Sequence, residues 1–169
     1  SGVALDRSTG NGLHDILTAT NADVGLVLTS SPGNTLSHVI STANGQDGVL
    51  LISSNSNVLS NVLISNNGTD DDANLDQDDN GLNLFKSSNN LLFNLTSFNN
   101  LHNGVLIEGK SKFNVLMNTT VTNNGGIGLE LAEKVQSNSI LNLISGNNAG
   151  DGVGVLGRSS RNVFRDVVS

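Results

Sequence analysis

The chain is predicted to be all-β, a parallel β-helix (solenoid) of about seven coils, and three observations carry that prediction. Seven glycines, Gly2, Gly25, Gly48, Gly81, Gly104, Gly128 and Gly152, recur at spacings of 23, 23, 33, 23, 24 and 24 residues. Each is followed by two aliphatic residues with one residue between them, the alternation of a strand with one buried face. Nine or ten residues after each glycine stands an asparagine: Asn11, Asn34, Asn57, Asn90, Asn114, Asn138 and Asn162. The repeat runs throughout, so a single domain over residues 1–169 is expected, with an acidic loop insertion at about 69–79.

Within a coil the elements follow in order. The glycine-led strand places Val3, Leu26, Val49, Leu82, Val105, Leu129 and Val153 in one aliphatic column, and Leu5, Leu28, Leu51, Leu84, Ile107, Leu131 and Val155 in the next. The residue between them varies freely (Ala4, Val27, Leu50, Asn83, Leu106, Glu130, Gly154). Two residues past the asparagine comes a third apolar column, from Leu13 to Phe164, then a polar one (Asp15, His38, Asn61, Asn94, Asn118, Asn142, Asp166), then an apolar one from Ile16 to Val167. A second asparagine column, Asn21, Asn44, Asn67, Asn100, Asn124 and Asn148, closes the coil. This reads as three short strands per coil, separated by turns in which Asn or Gly takes the left-handed conformation. Stacking places like residues about 4.8 Å apart, so the corner amides can form continuous hydrogen-bonded ladders, and their first role is structural.

The segments GVLLISSNSNVLSNVLISNN and GLNLFKSSNNLLFNLTSFNN closely resemble the NosD-type right-handed parallel β-helix repeat family, also described as a carbohydrate-binding and sugar-hydrolase β-helix domain. The resemblance implies right-handed winding over nearly the whole chain. Its matching residues are core and corner positions, which carry no chemistry of their own. The copper association of the name finds no ligand set: there is no Cys, Met117 is the single Met, and His14, His38 and His102 occupy three different coil positions. A leucine-rich repeat is the rival fold, since Leu59, Val62, Ile64 and Asn67 fit its pattern. Against it, Thr18, Ser41, Ser97 and Ser145 stand where a leucine belongs, and the glycine-led strand goes unexplained.

Composition removes several function classes. A net charge of −7 offers nothing to nucleic-acid phosphates. No stretch reaches the length of a membrane-spanning helix, so no membrane insertion is expected. The lack of Cys excludes a disulfide framework and a thiolate metal site. Neither Trp nor Tyr is available as a sugar-stacking platform.

The insertion concentrates six of the fifteen acidic residues. Asp76, Asp78 and Asn80 before Gly81 spell the opening of a calcium loop, and Asp70, Asp72 and Asn74 repeat the spacing. Ser87 stands where such a loop needs its bidentate Glu, so a solvated acidic loop and a weak calcium site are both open readings. Asn67, Asn94 and Asn118 begin N-glycosylation sequons.

Other charges are sorted. Seven of eight basic residues (Arg7, Lys86, Lys110, Lys112, Lys134, Arg158, Arg161) fall in the turn after the glycine-led strand, and nine acids precede coil glycines. The solenoid is expected to have a basic and an acidic edge, suited to solubility or to side-by-side association. Glu108 and Glu130 lie on successive coils at different positions, while Glu133, Lys134 and Lys110 can meet around one turn as a salt-bridged corner. The Asp-Pro-His stretch of β-helix uronate epimerases and the Gly-His-Gly and Arg-Ile-Lys pieces of polygalacturonases are both missing, so no catalytic residue is assigned.

Two apolar columns are sequence neighbours: Ile16 to Val167, and Leu17, Ile40, Leu63, Thr96, Thr120, Ile144 and Val168. Adjacent strand residues face opposite sides, so one column is expected to be exposed as an interface stripe. The chain starts and stops inside a repeat, which suggests end-to-end stacking into a homo-oligomer or filament, or a segment of a longer solenoid. The expectation is a secreted or cell-surface, non-enzymatic structural or adhesive module about 30 Å long. The alternative is a polysaccharide-binding or polysaccharide-cleaving domain, with polysaccharide as partner and calcium as the one cofactor to test.

Overall fold

Among the described residues hydrogen bonds run from coil to coil, and they build two parallel sheets that face each other across one core. The computed structural model describes residues 1–69 and 79–169. The calcium expectation at Asp70, Asp72, Asn74, Asp76 and Asp78 falls outside the described residues.

The first sheet consists of β1 (Val3–Asp6), β3 (Leu26–Thr29), β5 (Val49–Ile52), β7 (Leu82–Phe85), β9 (Val105–Glu108), β11 (Leu129–Leu131) and β13 (Val153–Val155), in that spatial order. The second consists of β2 (Gly12–Ala19), β4 (Thr35–Thr42), β6 (Val58–Ser65), β8 (Leu91–Phe98), β10 (Val115–Thr122), β12 (Ser139–Gly146) and β14 (Val163–Val168), stacked likewise. Register is residue on like residue: Leu28 pairs Leu51, Leu51 pairs Leu84, and Leu84 pairs Ile107. This is the parallel β-helix the repeat predicted. The leucine-rich alternative is excluded, and the serines that counted against it have a use. Ser41, Ser97 and Ser145 each donate a 2.7 Å hydrogen bond to the carbonyl of Gly48, Gly104 and Gly152, seven residues on.

Among the described residues each coil holds two strands, and the third expected strand is the second limb of the longer one. A left-handed residue in the middle of each long strand (φ 53° to 56°, from Asp15 to Asp166) bends it into two limbs. The bend shifts the alternation by one, so Leu36, Val39 and Ser41 point inward while Ile40 points out. The adjacent apolar columns are thereby resolved. Val39 and Val62 are buried, whereas Leu17 is 66% exposed, Ile144 54% and Val168 67%. The exposed stripe is present where it was expected.

The left-handed residues differ from expectation. None of the seven coil glycines is left-handed, nor are the asparagines of the two predicted corner ladders. In coil two the left-handed positions are Ser30, Gly33, His38 and Ala43, and in coil four Lys86, Asn89, Asn94 and Asn99. Ordinary residues hold a conformation costing about 1 kcal/mol each because inter-coil hydrogen bonds on both sides dictate the turn. The coil glycines are instead required by crowding. A Cβ at Gly25 would meet Ser41 Oγ and lie 2.5 Å from Asn44 Nδ2 and 2.7 Å from the Gly48 carbonyl.

Both asparagine ladders form. Asn11, Asn34, Asn57, Asn90, Asn114 and Asn138 each pass an Nδ2–H to the next Oδ1 at 3.0 to 3.3 Å, and the ladder ends at Asn162. The second ladder does the same, with Asn44 to Asn67 and Asn67 to Asn100 both at 2.9 Å. A serine ladder that the sequence reading passed over runs beside the first: the backbone N–H of Ser31, Ser54 and Ser87 donates to the hydroxyl of Ser54, Ser87 and Ser111.

Candidate functional site

Chemistry-bearing side chains gather on the outer face of the first sheet, and the register determines which. One outward column reads Ala4, Val27, Leu50, Asn83, Leu106, Glu130, Gly154, and the next reads Asp6, Thr29, Ile52, Phe85, Glu108. From coil four onward, amide and carboxylate groups interrupt an otherwise apolar first column.

A groove of about 290 Å³ crosses this face, lined by Val24, Gln46, Asp47, Leu50, Ile52, Asn83, Phe85 and Glu108. Asn83 Nδ2 donates to Glu108 Oε1 at 3.1 Å. Asn83 is only 5% exposed, and among the described residues its Oδ1 has no hydrogen-bond partner. A buried acceptor left unmatched costs about 1–3 kcal/mol, so this atom is a place where a ligand hydroxyl would be rewarded. Asp47, buried at the groove end, accepts from Asn80 N at 2.8 Å and Asn80 Nδ2 at 3.1 Å. One coil further along, Asn103 Nδ2 holds Glu130 Oε2 at 2.8 Å.

A second cleft, of about 640 Å³, adjoins the groove at the turn after the sheet, lined by Lys86, Gly109, Lys110, Glu133, Lys134 and Gly157. Lys86 Nζ stands 4.5 Å above the Phe85 ring, a cation–π contact that ties the cleft to the groove. The expected meeting of Glu133, Lys134 and Lys110 is therefore observed, but as cleft walls; none of them is in an ion pair within 4.0 Å among the described residues.

The other sequence-derived candidates fall elsewhere. Asn80 belongs to a short buried ladder: besides its bonds to Asp47, its Oδ1 accepts from Asn103 N at 3.3 Å and lies 3.3 Å from His102 Nδ1. Asn67 is buried, with Nδ2 committed to Ser41 O and Asn100 Oδ1, which leaves no room for a glycan. Asn94 and Asn118 are exposed on the mid-strand bend, in an outer amide ladder from Asn61 to Asn142. Among the described residues no three His, Cys, Asp or Glu side chains gather as a metal site. Of the acids expected along the acidic edge, Asp47 is buried while Asp23 and Asp151 are exposed. Asn83, Phe85, Gln46 and Asp47 were missed as site residues. Asn83 carried a signal, being the first polar residue to interrupt an apolar column.

The family described as right handed beta helix region matches residues 1–167. The chain belongs to this family. The right-handed winding that the resemblance implied is thereby supported. Comparison with the curated proteins yields no match. Among solved structures, a periplasmic alginate epimerase superposes with a TM-score of 0.82 at 17% identity, over 98% of this chain and 42% of its own. The A-module of an Azotobacter vinelandii mannuronan C-5 epimerase gives 0.68 at 16% identity, over 97% of this chain and 60% of that one. A pectate lyase gives 0.67 at 16% identity, over 87% and 44% respectively. At such identities the likeness is one of fold. The β-helix described here spans about two fifths of the length of the periplasmic epimerase. Among the described residues no helix is long and apolar enough to cross a membrane.

Proposed function

We propose that the outer face of the first sheet binds a polysaccharide in the groove around Asn83, Phe85 and Glu108, and that the protein works in a secreted or periplasmic setting. The observation that carries this reading is the composition of the groove. Leu50, Ile52 and Phe85 offer apolar surface for the C–H face of a sugar ring. Asn83 Oδ1, buried and without a partner among the described residues, is an acceptor for one of its hydroxyls. The structural neighbours support it in kind, since proteins named for acting on alginate and pectate share this fold. That support favours the polysaccharide alternative over a purely structural, self-associating module.

Binding is better supported than cleavage. Glu108 and Glu130 lie on this face, each held by an asparagine amide, yet neither a histidine nor an arginine lines the groove or the lysine cleft among the described residues. The test is affinity electrophoresis of the purified protein in gels containing dextran, a β-glucan, alginate or polygalacturonate. At least one polymer is expected to retard the protein, and Phe85→Ala and Asn83→Leu to weaken that retardation about tenfold while circular dichroism stays unchanged. Migration unaffected by every polymer would overturn the reading.

A further inference from the structure

We propose that the cleft over Lys86, Lys110 and Lys134 is an anion subsite, so that the polymer bound in the adjoining groove carries oxyanion groups, either carboxylates or sulfate esters. This inference rests on the polysaccharide reading above.

The cleft begins where the repeat changes length. In coils one to four the turn after the first sheet uses a single left-handed residue: Arg7, Ser30, Ser53 or Lys86. In coils five to seven it uses two in succession: Gly109-Lys110, Glu133-Lys134 and Gly157-Arg158. The added residue accounts for the change in glycine spacing from 23 to 24 after Gly104. Gly109 lies flat against the last short turn; a Cβ there would sit 2.9 Å from Phe85 Cδ2 and 3.0 Å from Lys86 Cγ. Its φ of 65° adds a second reason for glycine.

The charges are the second part of the argument. Lys110 and Lys134 stand in register on successive coils, about 4.8 Å apart, and Lys86 lines the cleft one coil earlier, against Gly109. Like charges in such a column repel, and among the described residues none has an ion-pair partner within 4.0 Å. Among the described residues Glu133 is the single acid lining the cleft. A bound anion relieves this repulsion, and a cleft with low-dielectric walls concentrates the field that attracts it.

The third part is continuity. Phe85 and Glu108 line the groove, while their chain neighbours Lys86 and Gly109 line the cleft. One sugar chain therefore reaches both. The groove offers acceptors, Asn83 Oδ1 and the Glu108 carboxylate, which suit hydroxyl donors, and the charge of Glu108, with that of the buried Asp47, repels an anion. The anionic group is thus directed to the lysines, which sets the orientation of the chain.

The experiment compares matched pairs of polymers by titration calorimetry at low and high salt: polygalacturonate against its methyl ester, and dextran sulfate against dextran. The charged member of at least one pair is expected to bind ten times more tightly or better, with an affinity that falls as salt rises. The preferred pair identifies the oxyanion as carboxylate or sulfate. Lys110→Gln combined with Lys134→Gln is expected to abolish the preference. Lys112→Gln, which removes the same charge from a residue outside the cleft, is expected to retain it. Equal affinity for charged and neutral members, or loss of preference in Lys112→Gln as great as in the cleft variant, overturns the anion subsite and leaves polysaccharide binding intact. Failure of every polymer to bind overturns both.

Discussion

Two columns of this solenoid have the same geometry and opposite energetics. At the corner before the second sheet, asparagines stack coil upon coil, and each amide both donates to and accepts from its neighbours. At the turn after the first sheet, Lys110 and Lys134 stack over the same spacing beside Lys86, and each ammonium can only donate. Between its two ends the first column satisfies itself and is buried; the second cannot, and stays in an open cleft. Repetition in a solenoid signals structure where the repeated group is its own partner. Where the repeated group repels itself, the column calls for a partner from outside.

Four measurements bear on that contrast, in decreasing order of expected effect. Asn114→Ala cuts the buried ladder at a central rung. It strands Asn90 N, Asn90 Nδ2 and Ser87 O, each now satisfied by Asn114. The expected cost is about 3 kcal/mol or more, lowering the melting temperature by roughly 10 °C. A loss below about 1 kcal/mol in urea unfolding would remove the ladder from its place in the comparison. Gly104→Ala forces a Cβ to within 2.6 Å of Asn124 Nδ2 and 2.7 Å of the Gly128 carbonyl. Overpacking of this kind costs about 2 kcal/mol, and hydrogen exchange should show faster opening at coils four to six. Asn118→Ala breaks the exposed outer ladder, where water replaces the lost amide, so about 0.5 kcal/mol is expected in the same unfolding assay. The double lysine variant is expected to lose nothing. Its melting temperature should rise by about 1 °C at low ionic strength, with the gain gone in about 0.5 M salt. A fall would show the lysines to be structural, and the contrast with the asparagines would collapse.

Much of the fold was legible, for a reason visible in particular residues. Leu28, Leu51, Leu84 and Ile107 recur at one coil position because parallel register sets like on like, and a period survives in the sequence as a count. The exposed stripe was legible for the same reason, as two apolar columns side by side. The groove was not. Asn83 and Glu108 belong to different coils and different columns, and only the diagonal neighbourhood of stacked strands brings the amide to the carboxylate. Asp47 read as an edge charge because nothing in its sequence neighbourhood announces burial against Asn80, 33 residues away.

The sequence by itself determined the period, the inward aliphatic columns, both asparagine ladders and the basic turn, since each is a property that repeats. Tertiary structure decided where the chain turns left-handed, which of two adjacent apolar residues faces water, and which polar groups share a cleft. The physical reason is the same in each case. Hydrogen bonds between coils more than twenty residues apart impose φ on residues such as Ala43, Lys86 and Phe113, whose own preferences point elsewhere.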